Sequence, residues 1–159
     1  MANSSTYYPP VSFFFKVFFQ GLKGKADKEA SFKEVSGLSA ETSAEEVIEG
    51  GVLQYRHKLP TTTKYPNLIL KRGLILDSEL RQWIEKGINE FSFTPLMVSV
   101  HLLDQFSQEG QNSKTLMSWT FHNVWPVKWE IAQFDSLSNE VAVESIELAY
   151  DYFETKKGA

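Results

Sequence analysis

The segment VSFFFKVFFQ, residues 11–20, sets the class of fold. Every second residue is apolar: Val11, Phe13, Phe15, Val17 and Phe19. Period-two patterning in aromatic and β-branched residues predicts a β-strand with one face in a core. The other face, Ser12, Phe14, Lys16, Phe18 and Gln20, still carries two phenylalanines. Burying such a side chain is worth about 1.5–3 kcal/mol, so leaving Phe14 and Phe18 in water is wasteful. Two arrangements cover them: a second layer of the same domain, or another subunit.

The alternation recurs along the chain. Before it, residues 1–10 are polar and end in Pro9-Pro10, which removes two backbone donors and predicts an extended leader. After it, residues 21–27 form a basic loop, and residues 31–35 read as a strand closed by Ser36-Gly37. Residues 52–59 alternate again, and residues 65–76 are strand-like around Leu68-Ile69-Leu70, with a break at Gly73. A helix is predicted over residues 78–88. Asp77 or Ser78 can cap it, Glu79 suits its first turn, and Leu80, Trp83, Ile84 and Ile88 make one apolar stripe. Gly87 is a candidate end for it. Further strands are expected at residues 96–103, 115–125, 127–134 (after a break at Pro126) and 141–153, with a polar hairpin loop at residues 105–113. In the last strand Ile146, Leu148, Tyr150 and Tyr152 are expected inside, and residues 155–159 read as a tail. The sum is a mainly β fold of seven or eight strands and one α-helix, a compact β-barrel or two-sheet sandwich. It forms a single domain over residues 11–154.

Composition narrows the function classes. A chain of 159 residues can bury a core without staples. It has no cysteine, which excludes disulfides and thiolate metal or redox chemistry. The net charge of −4 makes a polyanion a poor partner, so no specific nucleic-acid binding is expected. No stretch approaches the roughly 20 apolar residues of a spanning helix, so no membrane anchor is expected. No basic residue precedes residues 11–19, which makes them a poor signal peptide, and the protein is expected to be made and folded in the cytoplasm, with export by another route left open.

A search for chemistry returns little. The three histidines, His57, His101 and His122, have no metal-pair spacing, and no nucleophile elbow, phosphate loop or dinucleotide fingerprint is present. Asp135 and Glu140 flank a loop, as paired acids often do on acidic proteins. No catalytic residue, cofactor or metal site is expected, and no enzyme. Trp119, Trp125 and Trp129 fall close together, beside Phe121. Trp119 shares a face with Met117 and Phe121 and reads as core. Trp125 and Trp129 admit two readings, core or an exposed aromatic platform for sugar rings, which would make this a carbohydrate-binding β-sandwich.

Charge is distributed unevenly. Glu41, Glu45, Glu46 and Glu49 form a block without a base, and Arg56, Lys58, Lys64, Lys71 and Arg72 form a block without an acid. Such blocks are usually solvated loops. Complementary patches on one chain can also meet between copies, giving a ring or a filament. With the two-faced strand, these residues and Phe14 and Phe18 are the candidate inter-subunit contacts.

Several motifs resemble the tube proteins of contractile phage tails and extracellular contractile injection systems. They are Phe32-Lys33-Glu34-Val35-Ser36-Gly37-Leu38, then Glu49-Gly50-Gly51 and His57-Lys58-Leu59-Pro60. Lys64-Tyr65-Pro66-Asn67-Leu68-Ile69-Leu70-Lys71-Arg72-Gly73 follows, then the run from Trp119 through Trp129, then the run from Asn139 through Ala149. The order holds over nearly the whole chain. The resemblance implies hexameric rings stacked into a hollow tube inside a contractile sheath. It implies an inter-ring arm at about residues 36–59, and a lumen lined by one sheet, for which Ser145, Glu147 and Asp151 are candidates. Its implied partners are further copies, sheath protein, baseplate and tube-terminator or cap proteins, and a cargo of effector protein or DNA. The final location would be a phage tail or a released injection particle. The same family contains the tube initiator that seats the first ring on the baseplate, and the motifs fit it as well. The first strand is unusually rich in phenylalanine, and INEFSFTP, residues 88–95, departs from a short charged link.

Overall fold

The computed structural model describes residues 14–22, 29–30, 32–48, 50–51, 55–75, 78–103, 115–132 and 142–158. The expected leader, the loop at residues 105–113, Asp77, Glu49, Asp135 and Glu140 lie outside them.

Among the described residues the chain forms ten strands and one helix. The strands are β1 (Phe14–Gln20), β2 (Glu29–Ala30), β3 (Glu34–Ser36), β4 (Glu41–Val47), β5 (His57–Lys64), β6 (Leu68–Gly73), β7 (Leu96–Leu103), β8 (Thr115–Ile131), β9 (Val143–Ala149) and β10 (Tyr152–Lys157); α1 (Glu79–Glu90) lies between β6 and β7. The strand order is β2-β1-β7-β8-β9-β6-β3, all antiparallel, with β10 also on β8 and β4–β5 forming a separate hairpin.

β8 makes two sheets out of this order. Its first half pairs with β7 and β10, and from Trp125 onward it pairs with β9. The corner is at Asn123, whose φ is 57°, a left-handed conformation that asparagine tolerates. There the Asp151 N–H donates to the His122 carbonyl at 3.1 Å, and the Asn123 amide donates to the Asp151 carboxylate at 2.9 Å. Strands that change sheets through bends are the usual way to build such corners.

Pro126 therefore does not end a strand, as the sequence suggested. It sits beside a shift of register against β9, where a missing N–H costs least, and its ring is buried near Gly87 of α1. The expected last strand instead divides into β9 and β10 around Tyr150-Asp151. Tyr152 falls beyond that division and is 44% exposed, and residues 155–157, expected in a tail, are strand.

Between the two sheets lie Val17, Phe19, Leu68, Leu70, Val98, Val100, Phe121, Val124, Ile146 and Leu148. α1 adds Leu80, Trp83 and Ile84. Ser78 caps it, its Oγ accepting the Arg81 N–H at 3.1 Å. The helix runs past Gly87, which is buried so close to the Pro126 ring that a Cβ there would lie 2.7 Å from it. It stops at Phe91, which is left-handed with φ 53° and donates its N–H to the Lys86 carbonyl. Ile88, assigned to the apolar stripe, is 40% exposed and lines a groove with Val127 and Trp129 of β8.

One polar network crosses the core. Arg72 of β6 and Glu144 of β9 form a buried ion pair, their side chains 2% and 1% exposed. The Arg72 guanidinium also donates to Ser78 Oγ at 3.1 Å and lies 5.5 Å from the Phe32 ring centre. Trp129 Nε1 donates to the other Glu144 oxygen at 3.0 Å. The pair thus ties β6, β9 and, through Trp129, the second half of β8 to the helix cap, and the groups named here satisfy its charges in the way a buried pair requires.

Candidate assembly surfaces

The segment expected as an arm, residues 36–59, overlaps a hairpin of β4 and β5 that runs on to Lys64. β4 and β5 pair with each other, and apart from Ser43 their residues are exposed. An isolated two-stranded hairpin is marginal in water at best. Cross-strand bonds hold this one: Thr61 Oγ1 donates to the Ser43 carbonyl at 2.8 Å, and the Thr42 and Thr63 hydroxyls are 3.2 Å apart.

The two charge blocks meet mostly within the chain. Arg56 donates to Glu46 at 3.0 Å, Glu41 lies opposite Lys64, and Glu46 lies opposite Lys58. Lys71 pairs with Glu34 at 3.0 Å. Arg72 belongs to the core network, so it presents no surface to a neighbour. Antiparallel pairing explains the arm's share of this: Glu41 and Glu46 lie on β4, Lys58 and Lys64 on β5, and the register sets acid opposite base. Exposed pairs of this kind are worth about 0–1 kcal/mol each and mainly keep the arm soluble.

The second face of β1 carries Phe18, half-buried with its ring 4.8 Å from His101 of β7. Phe18, Gln20, Ser99 and His101 line a groove of about 430 Å³ on that face. Burial there holds the His101 imidazole below its ordinary pKa. Phe14 lies at the start of β1, paired with Leu103 in register.

Of the lumen candidates, Ser145 and Glu147 lie on the outer face of β9. Glu147 accepts from the Asn67 amide at 2.7 Å, and register sets it opposite Lys128. Ser145 lies between Lys71 and Glu130, and Lys128 and Glu130 pair at 2.5 Å. The pairing raises the Lys128 pKa and lowers that of Glu130. Asp151 is apart from this face, at the sheet corner.

Trp129 and Trp125 do not form a platform together. Trp129 packs against the core and is bonded to Glu144. Trp125 is 37% exposed and joins Phe93 and Phe91 in an edge-to-face row, with ring centres 5.5 and 5.1 Å apart. Phe91 is 84% exposed. This aromatic row went unassigned in the sequence, although FSF in residues 91–93 was its signal. Among the described residues no cluster could hold a metal ion, and no helix is long and apolar enough to cross a membrane.

Comparison with known proteins agrees with this arrangement. The family described as T4-like virus tail tube protein gp19 matches residues 11–154. The chain is similar to one in the cryo-EM structure of the anti-feeding prophage baseplate, at 24% identity and a TM-score of 0.79, over 95% of this chain and 97% of that one. It is similar to a chain of the extended sheath–tube complex of an extracellular contractile injection system, PVC, at 25% identity and a TM-score of 0.76, over 96% and 94%. Hcp1 from Flavobacterium johnsoniae shares the fold at 18% identity and a TM-score of 0.57, over 92% and 97%. No curated protein sequence matches.

Proposed function

The chain belongs to the T4-like virus tail tube protein family and is a structural tube subunit, and we propose that six copies close a ring and that rings stack into the tube of a contractile injection machine. The observation that carries this is the family match over residues 11–154, nearly the whole folded chain. Two features of the fold support it. β10 has β8 on one side and no described strand on the other, so its backbone edge is open to a neighbouring copy. The β4–β5 arm projects without a body of its own to pack on. Sheath, baseplate and cap proteins are the partners of such a tube, and its cargo passes through the lumen. Acids and bases alternate across Glu34, Lys71, Glu130, Lys128 and Glu147, a face that would hold neither a polyanion nor a protein cargo tightly.

Negative-stain electron microscopy with light scattering tests the reading. Hollow tubes of uniform width are expected. Discrete rings that never stack would identify the initiator instead, and a monomer at high concentration would refute the proposal. Reversing Glu45, which lies opposite Leu59 and not opposite a base, to Lys is expected to weaken stacking most at low salt, where surface charge is least screened.

A further inference from the structure

The row of Phe91, Phe93 and Trp125 continues into a groove. Gly87 draws the two together: a Cβ there would lie 2.7 Å from the Pro126 ring and 3.3 Å from the Phe93 ring. Beyond Pro126, Ile84 and Ile88 of α1 and Val127 and Trp129 of β8 line a cavity of about 310 Å³. Their spacing, four residues on the helix and two on the strand, sets each pair on one face of its element. Glu85, Asn89 and Lys128 supply the polar rim. Phe91, Phe93, Trp125, Ile88 and Val127 all remain exposed in the subunit. Single exposed apolar residues need no explanation, but a contiguous strip marks an interaction site.

The sequence ahead of β1 has the matching chemistry. Residues 1–10 carry no Asp, Glu, Lys or Arg and end in Tyr7-Tyr8-Pro9-Pro10, the chain's only pair of adjacent prolines. Successive prolines favour the polyproline II conformation and leave no backbone donor for pairing. Grooves lined by aromatic rings recognise such segments, because the preformed helix loses little entropy on docking. Each tyrosine adds a ring to bury and a hydroxyl that needs a partner, which the rim of Glu85, Asn89 and Lys128 offers. The segment cannot reach the row of its own chain. Phe14 pairs with Leu103, Gln20 with Met97 and Leu96 with Val124, so the row lies at the end of the sheet away from Phe14. The six steps from Phe14 to Gln20 span about 20 Å, whereas the four from Pro10 to Phe14 span at most about 14 Å.

We infer that Tyr7-Tyr8-Pro9-Pro10 of one copy docks on the Phe91–Phe93–Trp125 row of another copy and on the groove beside it. This rests on the tube reading, which makes a second copy the occupant. It adds a contact made by the leader and gives its chemistry: proline and tyrosine on aromatic rings, without an ion pair at the centre. The leader departs from one end of the sheet and the row opens at the other. The contact therefore runs head to tail and repeats from copy to copy. Having no charge at its centre, it holds in salt that screens the arm's ion pairs.

The chain has no cysteine, so introduced pairs report this contact alone. Tyr8→Cys and Phe91→Cys are placed singly and together in the full chain, assembled, treated with a short bismaleimide and separated on a denaturing gel. The double variant should give a ladder running past the dimer, and each single variant should stay monomeric. Two further full-length variants are checked for fold by circular dichroism. Pro9→Gly with Pro10→Gly keeps the leader's length, and Phe91→Asn keeps a residue that tolerates the left-handed helix cap. Each should raise the protein concentration needed for tubes at least tenfold, at low and high salt alike. Combined, they should raise it no further than the larger effect alone, because one contact is lost only once. Tubes at the wild-type concentration in both variants, with no ladder, would overturn this contact and leave the tube reading intact. Effects that multiply would place leader and row in separate contacts and overturn it as well. A dimer from Y8C or F91C alone would overturn it in favour of like-to-like pairing. Absence of any ring or tube in the wild-type chain would remove the tube reading and this inference together.

Discussion

Glu144→Gln isolates the electrostatic content of the core network. Glutamine keeps the shape and one oxygen, so the Trp129 N–H can retain an acceptor, and the substitution removes mainly charge. It leaves Arg72, 2% exposed, as a buried cation whose described companions are Ser78 Oγ and the Phe32 ring. Removing one partner of a buried pair costs about 3–5 kcal/mol. A domain of this size loses about 2–4 °C of Tm per kcal/mol, so the melt should fall by about 6–20 °C. The measurement is a circular-dichroism melt at matched, low protein concentration, because association stabilises the fold by mass action. The double variant Arg72→Leu with Glu144→Leu supplies the control. It discards both desolvated charges and orphans only neutral donors and acceptors, each worth about 1–3 kcal/mol, so it should be less damaged than Glu144→Gln. A loss under about 1 kcal/mol in the single variant, or a double variant as unstable as the single, would refute the argument that the pair is dry and mutually dependent.

Three further outcomes follow from the packing. Gly37→Ala should lower stability by about 2 kcal/mol or more in a urea titration, because φ is 90° there and a Cβ would lie 2.1 Å from the Asn67 carbonyl oxygen; an unchanged midpoint would contradict that geometry. His101 binds its proton less readily when folded than when unfolded, because burial disfavours the cation. The unfolded chain therefore holds more protons between the lowered folded value and the ordinary 6.5, and stability should fall as pH drops through that window. His101→Gln should flatten that dependence in melts taken across the window. Phe14→Ser with Phe18→Ser should raise monomer solubility and impair assembly, scored by sedimentation and electron microscopy; normal tubes would mean that this face of β1 meets no neighbour.

The alternation at residues 11–20, 96–103 and 115–125 was legible because a half-buried strand writes its two faces directly into the sequence. The helix was legible from Ser78, Glu79 and the stripe Leu80, Trp83 and Ile84. Its end was not, because Gly87 signals a stop locally and is required instead by the Pro126 ring above it. Pro126 misled for the related reason that a register shift, invisible in one strand alone, removes the cost of its missing N–H. Arg72 read as one more surface base. Its carboxylate partner lies far along the chain, and only the β6–β9 pairing brings the two together.

The charge blocks of the arm are the sharper case. Read along the chain, four acids followed by five bases look like two surfaces waiting for partners. Folded, the pairing of β4 with β5 sets Glu41 against Lys64 and Glu46 against Lys58, and Arg56 closes on Glu46. A hairpin that cannot bury a core needs some reason to stay soluble and paired before it finds its neighbour, and screened cross-strand pairs supply that at little energetic consequence. The arm leaves Val47, Leu59 and Tyr55 exposed, the Tyr55 ring lying against His57. Its charge is largely spent before any second copy arrives.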